Sequence, residues 1–99
     1  MVDQLAVSVA ELRQVCSQLL DHLASVDGPD VHLDKDFFWA IPKEELYNVY
    51  ATPERLTVGQ LSESWANLTA ILADESPTNA FALVWLADVL RAIGQAVVR

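Results

Sequence analysis

Cysteine is almost absent: Cys16 is the single one in 99 residues. No internal disulfide can form, so packing alone must hold the fold, as expected in a reducing compartment. Cations are scarce as well, with six Lys and Arg against 14 Asp and Glu and a net charge of -8. Phosphate backbones and anionic membranes are bound by clustered cations, so neither nucleic acid nor a membrane surface is expected as a partner. Glycine is limited to Gly28, Gly59 and Gly94, which leaves no GxGxxG, Walker or Gly-x-Ser-x-Gly pattern. The longest unbroken apolar run, Ala80 to Ala87, falls far short of the roughly 20 residues a membrane span needs. Met1-Val2-Asp3-Gln4 places no basic stretch ahead of an apolar one, so no signal peptide is expected. Without a secretory route Asn67-Leu68-Thr69 is a chance sequon, and the cytoplasm is the expected location.

What is present is apolar and periodic. Hydrophobic residues make up 53% of the chain, which excludes wholesale disorder and fits one domain over residues 1–99. Leu5, Val9, Leu12, Cys16, Leu19, Leu23 and Val26 alternate spacings of four and three, the seam of a heptad helix over about 3–26. Val15 and Leu20 widen that stripe, as in a helix docking on a domain core rather than a bare two-stranded coil. Asp27-Gly28-Pro29 ends it, with a left-handed glycine cap and a proline that cannot continue the helix. A short helix is expected near 43–50, with Pro42 opening it. Thr57-x-x-Gln60 has the spacing of a capping box, and Val58, Leu61, Trp65, Leu68 and Leu72 form the seam of a helix over 57–74. Ser76-Pro77 is the expected start of a last helix over 76–98, with Leu83, Leu86, Leu90, Ile93 and Val97 as its seam. Asp88, Arg91, Gln95 and Arg99 give this helix a polar stripe, which runs back into apolar Val84, Phe81 and Pro77. Its first half is thus hydrophobic nearly all round, and must be central in the fold or covered by something. The expected fold class is all-α, a small bundle of three main helices and a short fourth.

Catalytic constellations are sparse, and no enzyme is expected. Asp30-x-His32-x-Asp34-x-Asp36 sets hard donors at alternate positions, which an extended segment would turn to one side. The glycine and glutamate of a calcium-binding loop are missing at their offsets, and the plainer reading is a solvated acidic loop. A small metal-dependent enzyme using these four residues is one alternative, although no metal site and no cofactor is expected. Cys16 lies in an apolar seam, where a thiol behaves as a small hydrophobe, and His22 falls on another face. Glu44, Glu45 and Glu63 stand near helix starts, where acids complement the helix dipole. The chain has no Glu-x-x-Glu or Glu-x-x-Asp spacing of the kind that holds magnesium in helical phosphohydrolases. Asp88 and Arg91 read as an ordinary surface pair one turn apart.

The strongest pointer is compositional. An acidic loop over 27–36 runs into Phe37-Phe38-Trp39, followed by Tyr47 and Tyr50. Interfaces favour Trp and Tyr at their centre and use charge to steer association. These rings either complete a small core over the last helix or dock a partner, and both can hold at once, with Phe38 and Ile41 inward and Trp39 and a tyrosine outward. The expected function is a non-enzymatic protein-binding module of the immunity or antitoxin type, binding a basic protein. Trp39, Tyr47 and Tyr50 are the candidate anchors, and Asp30, Asp34 and Asp36 the steering charges. The other alternative is a homo-oligomer that associates through Phe81 and Val84, because oligomerisation compensates for a small core.

Two blocks carry a resemblance. Phe37-Phe38-Trp39-x-Ile41-Pro42-x-x-Glu45-Leu46-Tyr47 is followed by Leu56-Thr57-Val58-Gly59-Gln60-Leu61-x-x-x-Trp65. This arrangement resembles a set of small uncharacterised bacterial proteins with an aromatic-Trp-x-Ile-Pro block ahead of a Leu-Thr-x-Gly-Gln-Leu block. The resemblance covers roughly residues 37–98 and leaves the N-terminal helix outside. It implies that 37–65 is a shared unit, and it implies no activity, cofactor or binding residue.

Overall fold

A computed structural model describes residues 4–75 and 77–98. The sequence reads as one domain over 1–99; the backbone gathers into two compact units, one through His32 and one from Leu33 onwards. Three expected features rest on residues outside those described: the helix start at Asp3, the cap at Ser76 and the end of the polar stripe at Arg99.

The N-terminal unit is built on α1, Val9–Asp27. It begins at Val9 instead of near residue 3, because Ser8 supplies a cap. The Ser8 hydroxyl accepts a bond from the Glu11 backbone N–H at 3.2 Å, satisfying one of the free first-turn donors. Ser8-x-x-Glu11 is a capping-box spacing, a start signal that the heptad count passes over. At the other end Gly28 adopts φ 86°, ψ -171° and donates its N–H to the Ala24 carbonyl. That backbone conformation is open only to glycine, so the expected stop is where the sequence puts it.

The C-terminal unit corrects the all-α expectation. Among the described residues it holds a two-stranded antiparallel sheet, β1 (Phe37–Ala40) and β2 (Thr57–Gln60), alongside three helices. The helices are α2 (Lys43–Leu46), α3 (Leu61–Leu72) and α4 (Ala82–Val97). With α1 this makes a small mixed α/β protein. The overturned step is the capping box at Thr57. Thr57 to Gln60 are extended, with Gln60 still at φ -131°, ψ 118°, and helix begins only at Leu61. The Thr57 hydroxyl bonds across the sheet to the Ala40 carbonyl at 3.4 Å, and the Gln60 amide bonds to Asp36 at 2.8 Å. The same polar side chains serve strand pairing instead of a helix end.

The other boundaries contract. α2 stops at Leu46, and Pro42 precedes it as the cap residue. The expected length to Tyr50 is lost to a turn in which Asn48 Oδ1 accepts from the Tyr50 N–H. α4 starts at Ala82, because Asn79, Ala80 and Phe81 accept bonds from residues three positions on, a tighter winding than α-helix. α3 ends in a Schellman arrangement: Asp74 N–H bonds to the Ile71 carbonyl and Glu75 N–H to the Ala70 carbonyl. This places Asp74 at φ 57°.

The core of this unit lies between α3 and α4, which pack on each other. Among the described residues Leu61, Ser64 and Val89 are the buried ones. The inward face of α3 therefore runs through Leu61, Ser64, Leu68 and Ile71, at helical spacings of three and four. It does not run through the expected Trp65 and Leu72, both exposed. α4 keeps most of its expected seam: Leu86, Ile93 and Val97 are half-buried beside the buried Val89, while Leu83 and Leu90 face out. On a helix apolar nearly all round, the packing partner chooses the face.

Candidate functional site

The site region is organised by Asp36. This residue ends the loop ahead of β1, and its backbone carbonyl accepts from Leu61 N–H at 2.7 Å. Its carboxylate takes three more donors: the Ser62 backbone N–H at 2.6 Å, the Ser62 hydroxyl at 2.9 Å and the Gln60 amide at 2.8 Å. Asp36 thus caps α3 from 26 residues away. Its bond from Gln60, then that from the Ser62 backbone, stabilise the charged form and hold its carboxyl below the ordinary aspartate range. β1 is anchored by the same contacts to the start of α3, into which β2 runs directly.

That anchoring sets which rings face where. Along β1 the exposure alternates, so Phe37 and Trp39 share the outer side while Phe38 and Ala40 are half-buried. Phe38 stands opposite Gly59 in the register, and a Cβ at Gly59 would collide with its ring. The glycine is what lets the ring lie over the neighbouring strand. Trp39 stands opposite Val58, and residues directly opposite point to the same side. The outer surface of the sheet thus presents a Trp–Val pair, with Trp39 70% exposed. In the turn after α2, Tyr47 and Tyr50 are 86% and 96% exposed. Ile41 faces out as well.

A cleft of about 290 Å³ opens beside the sheet in the same unit. Leu33, Phe37, Phe38, Leu61, Ala92 and Ala96 form its apolar walls, and Asp34, Lys35 and Gln95 add polar groups. α2 is tied to the loop before β2. Glu45 Oε1 accepts from Glu54 N–H at 2.9 Å, and Arg55 lies 3.8 Å from Glu45 Oε2 and 3.9 Å from Glu44. Arg55 and Glu44 are solvent-exposed, so these ion pairs fix position more than they add stability.

The expected acidic set is divided between the two units. Asp30 and His32 belong to the N-terminal unit, Asp34 lines the cleft, and Asp36 is engaged at α3. Among the described residues no three His, Cys, Asp or Glu side chains gather in a metal-binding arrangement. Phe81, just ahead of α4, and Val84 on it are exposed, and Phe81 meets Trp85 edge to face with ring centroids 5.5 Å apart. Asp88 is half-buried, and desolvation raises its pKa against the opposing charge of Arg91. No described helix is long and apolar enough to cross a membrane. The role of Asp36 escaped the sequence because nothing local links it to Ser62. The strand pair left one signal, the β-favouring Phe37-Phe38-Trp39 run. No protein-family model, curated protein or solved structure matches the chain.

Proposed function

We propose that the C-terminal unit is a protein-binding module, without catalysis, that docks a basic protein partner in the cytoplasm. The observation that carries this reading is the exposure of Trp39 on the outer side of a sheet whose other side is anchored. Large rings left in water forgo burial worth about 25 cal/mol per Å², and aromatic residues are enriched at the centres of interfaces. Tyr47 and Tyr50 add two more exposed rings. The cleft beside Phe37 and Phe38 offers an apolar seat for a partner side chain, with Asp34 at hand for a cation. The chain's net charge of -8 favours fast encounter with a basic protein.

The test is capture from native lysate, purification of the captured protein, and titration of that protein against two chains. Trp39→Ala is expected to keep the fluorescence of Trp65 and Trp85 and to lose most of the affinity. Association with the unaltered chain is expected to slow as salt rises. A partner bound equally well by Trp39→Ala would overturn the reading. A second reading, self-association through α4, is favoured by the exposure of Phe81 and Val84. In that case Val84→Glu would yield a monomer while Trp39→Ala would change nothing.

A further inference from the structure

α1 presents an apolar face with no role in the reading above. Its 19 residues span about 28 Å at 1.5 Å per residue. Val9, Leu12, Leu19 and Val26 are exposed along the whole length, Leu19 at 62%, while Cys16 and Leu23 are half-buried. A seam that repeats every seven residues is complementary to a second helix of the same repeat, because each side chain fills a hole on its neighbour. We propose that α1 is a dimerisation helix: two copies of this chain pair in parallel and in register, with Val9, Cys16 and Leu23 in one set of layers and Leu12, Leu19 and Val26 in the other.

The flanking residues select the second copy and the parallel direction. With Val9, Cys16 and Leu23 at the a positions, Ser8, Val15 and His22 fall at g, and Arg13, Leu20 and Asp27 at e. In a parallel pair each g residue meets the e residue five positions on in the other copy. Val15 then meets Leu20, apolar against apolar, and His22 meets Asp27, a donor against a carboxylate. Ser8 meets Arg13. The stripe widened by Val15 and Leu20 is thereby closed from both sides. Antiparallel pairing with full overlap instead sets Arg13 against Leu20 and Val15 against His22, and each contact leaves a polar group against an apolar one.

The full chain carries its own probes. Cys16 is its single thiol, and Trp39, Trp65 and Trp85 all belong to the C-terminal unit. Light scattering across a dilution series is expected to give twice 10.9 kDa at high concentration, falling toward the monomer on dilution. Leu19→Glu is expected to give a monomer at every concentration, with tryptophan fluorescence unchanged. Gln14→Glu places the same charge at an f position, off the seam, and is expected to leave the dimer intact. Oxidised glutathione, reduced as it accepts two electrons, is expected to join the Cys16 thiols of paired chains in one disulfide. A chain monomeric at all concentrations overturns the proposal. A dimer that survives Leu19→Glu overturns it too, and moves the interface to another face such as Phe81 and Val84. A dimer broken by Leu19→Glu but never joined at Cys16 overturns the parallel register.

Discussion

The two units set the start of a helix in contrasting ways. α1 is capped by Ser8, whose hydroxyl meets the N–H of a residue three positions on. α3 is capped by Asp36, whose carboxylate meets the N–H of a residue 26 positions on. The chemistry is the same, an oxygen accepting from a free first-turn donor. The consequences differ. Ser8 stabilises one helix. Asp36 ties the start of β1, the end of β2 and the start of α3 into one object. A local cap makes an element; a distant cap makes an architecture.

Removing the distant cap tests that contrast most severely. Asp36→Ala is expected to cause the largest loss of thermal stability of the substitutions considered, and to free β1 from α3. Asp36→Asn, which keeps one acceptor, should fall between it and the unaltered chain. Amide exchange at Ser62 and in β1 should accelerate in both. The acid limb follows from the sign of the shift. The Asp36 carboxyl is held below its ordinary range in the fold, so its contribution is fully present above the unfolded value. It is lost as pH falls through the folded value, and Asp36→Asn should flatten this limb of the melting curve. Asp88 acts in the opposite sense, because burial raises it and its charge weighs against the fold as pH rises. If Asp36→Ala melts like the unaltered chain, the clamp does not organise the unit.

The next largest effect should come from Gly59, which stands under the ring of Phe38. Gly59→Ala forces that ring off the sheet and is expected to cost about 1–2 kcal/mol, in the range for overpacking a fitted contact. Phe38→Ala in the same background should relieve part of the cost, a coupling that a double-mutant cycle measures. Additive losses would mean that the glycine serves the strand in some other way. Ser8→Ala belongs to the local side of the comparison. It is expected to weaken α1 by about 1 kcal/mol, the usual worth of an N-cap serine, and to speed exchange of the Glu11 amide.

This contrast also sets how much could be read from the sequence. α1 was legible because its period and its Gly28 stop lie within the segment they govern, although its Ser8-x-x-Glu11 start was passed over. α3 and α4 were legible as helices for the same reason, and their inward faces in part, through Leu61 and Leu68 on α3 and Leu86, Ile93 and Val97 on α4. Trp65 and Ser64 compete for the inside of α3, and only the position of α4 decides between them. The sheet was hidden by ambiguity in the side chains themselves. Thr57 and Gln60 fit a capping box as well as a cross-strand pairing, and the partners that decide, Ala40 and Asp36, lie 17 and 24 residues away. Strands of four residues are also too short to show a period. The exposed rings were legible as a cluster, since five aromatic residues fall between Phe37 and Tyr50. Phe38 lies inward and Trp39 and the tyrosines outward, as expected, whereas Ile41, expected inward, is exposed.

The smallest effect returns to a helix end. α3 stops where Asp74 takes the left-handed conformation of its Schellman turn, at φ 57°. That conformation crowds the Cβ of an L residue; aspartate tolerates it better than most because its short polar side chain bonds locally. Asp74→Gly removes the crowding but also loosens the unfolded chain, and the two terms oppose each other. The balance at a helix C′ position favours glycine, so a gain of about 0.5 kcal/mol is expected. Asp74→Ala keeps the Cβ and loses the polar group, and should destabilise by a similar amount. The two substitutions should therefore move the midpoint of urea unfolding in opposite directions. If both lower it, the aspartate carboxylate contributes more at this turn than its backbone strain takes away.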